Sequence, residues 1–236
     1  MRYSANLNII VKAIENATAR MSRDFLELEN LQTNSLSANK FANSCYTRCK
    51  QVLADEFTRL RPDYDIIFSD GEKALCGKNS EYAFVVFPID GIDNLSRANP
   101  DFTVGVALIH REASGKKEGI AAAIYKVVGG EMLYGEKGFG AFVNKRRVRV
   151  SKRGSSEVFI CASQDLNFLS KKIAGKKFSH RAYGSPLLEL AYVASARMEM
   201  TIFSKEHSDL LSPFFVLVRE AGGKVLEEEN FFVISN

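Results

Sequence analysis

From Ala5 to Glu29 apolar side chains return at three- and four-residue steps, through Leu7, Ile10, Val11, Ile14, Ala17, Met21, Phe25 and Leu28. That spacing predicts one long helix with a single buried stripe, ended by the polar stretch Gln32 to Asn39. A second helical pattern, Phe41, Cys45, Cys49, Val52, Leu53, Phe57 and Leu60, stops before Pro62 and hands over to a strand at Asp65 to Phe68. Between Tyr82 and Ser151 the texture turns to short β-rich runs: Tyr82 to Phe87, Phe102 to His110, Gly119 to Tyr125, Glu131 to Tyr134 and Arg147 to Ser151. Gly, Asn and Lys turns separate them, which predicts an antiparallel meander. The rest alternates. Strands are expected at Val158 to Ala162, Phe178 to Tyr183, Glu199 to Phe203, Lys224 to Leu226 and Phe231 to Ile234. Helices are expected near Asp165 to Ile173, at Pro186 to Arg197 and at Asp209 to Ala221. The fold class is therefore α/β in the layered, α+β sense. An N-terminal part over 1–150 carries the helix pair and meander, and a C-terminal α/β part covers 151–236.

Composition narrows the classes. In 236 residues, 46% hydrophobic and 25% charged, there is material for a large core, which excludes a disordered tail. No apolar run approaches the roughly 18–20 residues that span a bilayer, and the first twenty residues lack a signal-peptide pattern, so a soluble, cytoplasmic protein with no membrane partner is expected. Cys45, Cys49, Cys76 and Cys161 are too few and too irregular for a disulfide framework; they read as packing thiols. The net charge of +4 gathers in two clusters, Lys145 to Arg153 and Lys171 to Lys177, which read as solvated faces or, less simply, as RNA- or phosphate-facing surfaces.

One segment concentrates candidate chemistry: Phe87-Pro88-Ile89-Asp90-Gly91-Ile92-Asp93-Asn94. A carboxylate directly after a buried strand, then Gly, then a helix N-terminus places oxygen ligands beside free backbone N–H groups, a combination suited to a cation-bridged phosphate. The plain alternative is a strand-ending turn with Asp90 as a cap. His207-Ser208-Asp209 lacks a third ligand at zinc spacing and reads as a strand-to-helix junction. Gly135-Glu136-Lys137-Gly138-Phe139-Gly140 lies between strands and reads as a hairpin turn instead of a dinucleotide loop.

The Phe87-to-Asn94 segment resembles the D-P-I/L-D-G-T signature of the inositol monophosphatase family, magnesium-dependent phosphatases of inositol and sugar phosphates. Three more landmarks follow in the family's order. Gly184-Ser185-Pro186-Leu187-Leu188-Glu189-Leu190-Ala191-Tyr192-Val193-Ala194 resembles G-S-A-A-x-D-L-A-Y-V-A. Gly138-Phe139-Gly140-Ala141 with Asn144 resembles G-x-G-A-x-x-N, and Val218-Arg219-Glu220-Ala221-Gly222-Gly223 resembles V-x-E-A-G-G. The resemblance runs from about residue 5 to the end and points to the bacterial SuhB-like branch. It implies an alternating α-β-α-β-α sugar phosphatase fold, commonly a homodimer, and an inositol or sugar phosphate ligand. For the SuhB-like branch it also implies association with ribosomal-RNA transcription antitermination, hence a transcription or RNA partner. Family members continue past the position of Phe231 to Asn236 with a further strand and helix, so a trimmed C-terminus is expected.

Position by position, the resemblance implies magnesium ligands at Asp90, at the Ile89 carbonyl and at Asp209, the last matching the family's W-D motif. Asp90 and Asp209 are then the catalytic candidates. Gly91 and Ile92 fall at phosphate-binding positions, and Gly184 and Ser185 at substrate-binding ones. Other family positions are replaced. The first Asp of the signature is Phe87, and the Thr after D-G is Ile92. The GEES-like region reads Phe68-Ser69-Asp70-Gly71-Glu72, where Ser69 takes the ligand position and Asp70 or Glu72 could serve only with a register shift. Tyr46 stands for the Asp of the second helix, and the substrate-contacting Glu falls near Phe203. Removing one well-placed electrostatic group costs roughly 2–4 kcal/mol of transition-state stabilisation. The resemblance therefore predicts a phosphatase scaffold with a degenerate metal site, impaired magnesium binding, little or no turnover and a binding or regulatory role. The alternatives are an inositol-1-monophosphatase-like phosphoric monoester hydrolase with a rearranged single-metal site, and an antitermination factor.

Overall fold

A computed structural model describes residues 4–75, 80–153, 159–163, 171 and 177–236. It opens with three helices: α1 (Ala5–Thr18), α2 (Met21–Asn30) and α3 (Ser35–Leu60). The single helix expected over Ala5 to Glu29 is two. The Thr18 hydroxyl donates back to the Ile14 carbonyl at 2.7 Å, competing with the backbone ladder where the helix ends. Both halves bury into one core, so the apolar spacing runs through the break without registering it. Helix α3 begins six residues before the expected start at Phe41, because Asn34 caps it by accepting from the Ser37 N–H at 3.1 Å. Its first turns are polar, with Ala38 and Ala42 the first buried positions, so periodicity could not find them.

Strands β1 (Asp65–Phe68), β2 (Lys73–Ala74), β3 (Tyr82–Asp90), β4 (Thr103–Arg111), β5 (Lys117–Lys126), β6 (Glu131–Glu136), β7 (Gly140–Val143) and β8 (Arg146–Val148) form an eight-stranded sheet in the order β2-β1-β3-β4-β5-β6-β7-β8. From β3 to β8 every neighbour is antiparallel, as the meander reading anticipated. Strands β2 and β7 were not anticipated; β7 pairs with β6 across the Gly-rich hairpin, Glu136 opposite Gly140. The strand expected from Arg147 to Ser151 is shorter and earlier.

The sheet is apolar on both faces. Phe84, Val86, Val106 and Leu108 pack towards α1 and α3, with the Phe57 and Phe84 rings stacked 4.1 Å apart. Their alternates Ala83, Val85, Ala107 and Ile109 pack the other way, onto α5 (Pro186–Ala194) and α7 (Phe215–Glu220). Beyond those helices lies a mixed five-stranded sheet, in the order β10-β9-β11-β13-β12, from β9 (Phe159–Ser163), β10 (Phe178–Arg181), β11 (Met200–Ser204), β12 (Lys224–Glu227) and β13 (Phe231–Ser235). Helix, sheet, helix and sheet thus alternate. The helix expected near Asp165 to Ile173 falls, apart from Lys171, outside the described residues, as does Cys76.

The helix expected over Asp209 to Ala221 is divided. Short helix α6 (Ser208–Leu211) passes through a tight turn, Ser212–Phe214, into α7. Pro213 carries no N–H for a continuous ladder. Its backbone crosses β5 so closely that a Cβ on Gly119 would lie 2.1 Å from the Pro213 carbonyl oxygen. Helix α5 also stops early, at Ala194, where the chain reverses through Ala196 at φ 61°.

Candidate functional site

Strand β3 bulges as it reaches the site. Phe87 pairs with Gly105 and Asp90 with Thr103, so three steps on β3 match two on β4 across Pro88, whose carbonyl accepts the Cys49 thiol at 3.1 Å. Burial pushes the Cys49 thiol up to about 12 and raises that of Cys45, which leaves both as packing groups. The bulge delivers Asp90 into the interior. Its carboxylate accepts from Ser185 Oγ at 2.6 Å and from the Leu187 N–H at 2.8 Å, closing the N-terminus of α5. Thr103 Oγ1 lies 3.4 Å from Ser185 Oγ.

This corner is sealed. Gly91 holds φ 86° at the start of α4 (Ile92–Ser96), and a Cβ there would lie 3.1–3.3 Å from Asp101 O, Ser185 Cβ and Gly184 O. Asn94 Nδ2 donates to the carbonyls of Asp101 and Tyr183, each at 2.6 Å, tying α4 to the segment before Gly184. Asp90, Gly91, Gly184 and Ser185 are therefore brought together. Ile89 is 5% exposed, and Ile92 packs against the helix-side core. One turn along α5, Glu189 is also buried and accepts from Thr201 Oγ1 at 2.7 Å. Burial lifts both carboxyls, Asp90 to about 6 against the bonds from Ser185 and the Leu187 N–H, and Glu189 to about 7, the latter also through repulsion from Asp90.

On the other side of Pro186 opens a cleft of about 350 Å³. Phe87, Phe203, Leu210, Leu211 and Pro186 give it apolar walls; Ser69, Ser204, Glu206 and Asp209 add polar groups. Phe87 is fixed edge-on against Phe214 at 5.5 Å. Asp209 stands exposed in α6 at this cleft, separate from the sealed Asp90 carboxylate. Asp70 and Glu72 go elsewhere. Lys50 Nζ donates to Asp70 Oδ2 and Glu72 Oε2, each at 2.6 Å, while lying 4.7 Å from the centre of the Phe68 ring. The Tyr46 hydroxyl donates to the same Asp70 oxygen at 3.0 Å. Burial alone would disfavour the Lys50 charge, but its two carboxylate bonds outweigh that and raise it; burial is also the largest single influence on Asp70, yet the bonds from Lys50, the Glu72 N–H and Tyr46 together outweigh it and lower the carboxyl. Among the described residues no three His, Cys, Asp or Glu side chains converge as metal ligands.

Lys50 and Glu206 escaped the sequence reading. Tyr46 and Lys50 stand four apart on α3, one face of the helix, which was the available signal for the first. Nothing in the sequence places Glu206 at one cleft with Phe87.

The Inositol monophosphatase family pattern matches residues 3–230. An inositol-1-monophosphatase of Mesorhizobium japonicum is 32% identical over 235 residues, covering 95% of this chain and 86% of that protein. A Nus factor SuhB of Xylella fastidiosa is 28% identical, covering 94% and 81%. The crystal structure of the extragenic suppressor protein SuhB from Bartonella henselae superposes with a TM-score of 0.81 at 26% identity, covering 99% of this chain and 94% of that one.

Proposed function

Because the chain belongs to the inositol monophosphatase family, we propose that it keeps that scaffold without the magnesium cluster and acts by binding, with little or no phosphomonoesterase turnover. The observation that carries this reading is the make-up of the cleft. Where the family resemblance implies carboxylates, Phe87 and Phe203 line the wall and Ser69 offers a single hydroxyl. A hard cation needs about six oxygen ligands. Asp209 stands at the cleft, Asp90 is spent on Ser185 and the Leu187 N–H, and Asp70 and Glu72 are neutralised by Lys50. These residues do not fit a multi-ion cluster, and no catalytic step is routed through one.

The test is hydrolysis of inositol 1-phosphate and other sugar phosphates with 1–10 mM magnesium or manganese, about the range that fills weak sites. The expected result is no turnover above the chain carrying Asp209→Asn. Turnover that needs metal and is lost in that variant would overturn the proposal and favour the rearranged single-metal phosphatase. A second reading, contact with a transcription partner, is favoured by the relatives called Nus factor SuhB. It predicts retention of transcription proteins on the immobilised full chain; their absence sinks it. No described helix is long and apolar enough to cross a membrane. Homodimer assembly remains part of the proposal.

A further inference from the structure

The cleft beside Phe87 has a composition that selects a ligand of its own. Its volume, about 350 Å³, sits at the small end of ligand pockets. Phe203 and Leu211 are buried and give the cleft a fixed apolar lining, to which Phe87, held against Phe214, adds a ring. Glu206 and Asp209 are exposed at the same cleft, and neither carboxylate makes a hydrogen bond or ion pair among the described residues.

No described Lys, Arg or His lines the cleft. Lys205, beside Glu206 in the chain, pairs with Glu227 at 2.8 Å, and Lys50 pairs with Asp70 and Glu72. A phosphate dianion entering here would face two carboxylates with no cation among the described lining residues to offset them. A positive group would find the opposite. Exposed carboxylates and aromatic rings in the lining both attract a cation, and the apolar lining takes a hydrocarbon body.

We propose that this cleft binds a small organic ammonium ion with an apolar body, and not a phosphate monoester. The proposal rests on the non-catalytic reading of the site and names its ligand class. The two carboxylates neutralise the ammonium, the rings of Phe87 and Phe203 face it or its stem, and Ser69 contributes one hydroxyl acceptor.

The probes are phenethylammonium and its uncharged counterpart phenethyl alcohol, titrated into the full chain by calorimetry at pH 7 and low salt, with inorganic phosphate plus magnesium as the third arm. Phenethylammonium is expected to bind saturably, roughly tenfold more tightly than the alcohol, and to weaken as salt is raised. The double variant Glu206→Gln/Asp209→Asn should lose roughly tenfold in affinity while melting, ligand-free, at the wild-type temperature. Because both residues are exposed, misfolding is not expected; if the melting point fell, the salt dependence and the alcohol comparison on the unaltered protein would still decide. Equal binding of alcohol and ammonium, unchanged binding in a well-folded double variant, or no saturable ammonium binding would each overturn the proposal. Metal-dependent phosphate ester turnover, by contrast, would overturn the non-catalytic reading beneath it, so the two failures are told apart.

Discussion

Two carboxylates that the sequence resemblance puts forward as site residues, Asp90 and Asp209, have opposite surroundings. Asp90 is 8% exposed and holds the Ser185 hydroxyl and the Leu187 N–H at the start of α5. Asp209 faces an open cleft with no described partner. The first is bound up with folding, because its removal would strand buried donors. The second is free to meet a ligand. A shared motif position thus does not carry a shared role; burial and the remaining ligands decide it.

The hardest way to break this contrast is Asp90→Ala. It would leave the Ser185 hydroxyl and the Leu187 N–H unsatisfied in a buried corner and open a small void. The expected loss is about 2–4 kcal/mol of unfolding free energy in urea melts. Asp90→Asn keeps an acceptor and should lose clearly less. If Asp90→Ala melts within about 0.5 kcal/mol of wild type, the sealed-corner account fails.

The corner should also betray itself through pH. Glu189 and Asp90 are raised in the folded chain to about 7 and about 6, from 4.5 and 3.8. The folded state therefore binds these protons more tightly than the unfolded state does. Stability from this source is fully present below about pH 4 and is lost as pH rises through about 4–7, by up to about 3 kcal/mol for Glu189. Glu189→Gln keeps a hydrogen-bonding group for Thr201 but cannot ionise, so its melting temperature should fall less between pH 5 and 7.5 than the wild type's. Parallel pH profiles for the two chains would contradict the buried, charged pair.

Much of this was legible in the sequence, for reasons that can be named. The meander announced itself because β3 to β6 carry apolar β-formers bounded by turn residues, and the Asp90 turn was visible as a carboxylate between a buried strand and Gly91. The break after Thr18 was invisible because α1 and α2 share one apolar stripe. The early start of α3 was hidden in polar turns, although Asn34 was the cap that marked it. Glu189 stood in the sequence only as part of the Gly184-to-Ala194 motif, and its burial depends on β11 placing Thr201 against it. The Lys50 pairing joins residues 20 and 22 apart, one on a helix and the others in a β1–β2 turn, a contact that no periodicity encodes. The local elements were readable, whereas the partners of the charged groups depended on how layers stack.

The smallest stability effect belongs to the cleft, and its smallness is the sharpest form of the contrast. Asp209 is exposed and makes no described hydrogen bond, so Asp209→Asn removes a charge without stranding any buried group. The change in unfolding free energy should stay within about 0.5 kcal/mol, against the several expected at Asp90. The sign can be anticipated. Glu206 is the other carboxylate on the cleft, so removing the Asp209 charge relieves repulsion and leaves the protein equally or slightly more stable, most visibly at low salt. Urea melts at low and high salt measure both. A loss of 2 kcal/mol or more would mean that Asp209 is built into the fold as Asp90 is, and the division between a corner that holds the protein together and a cleft left open for a ligand would collapse.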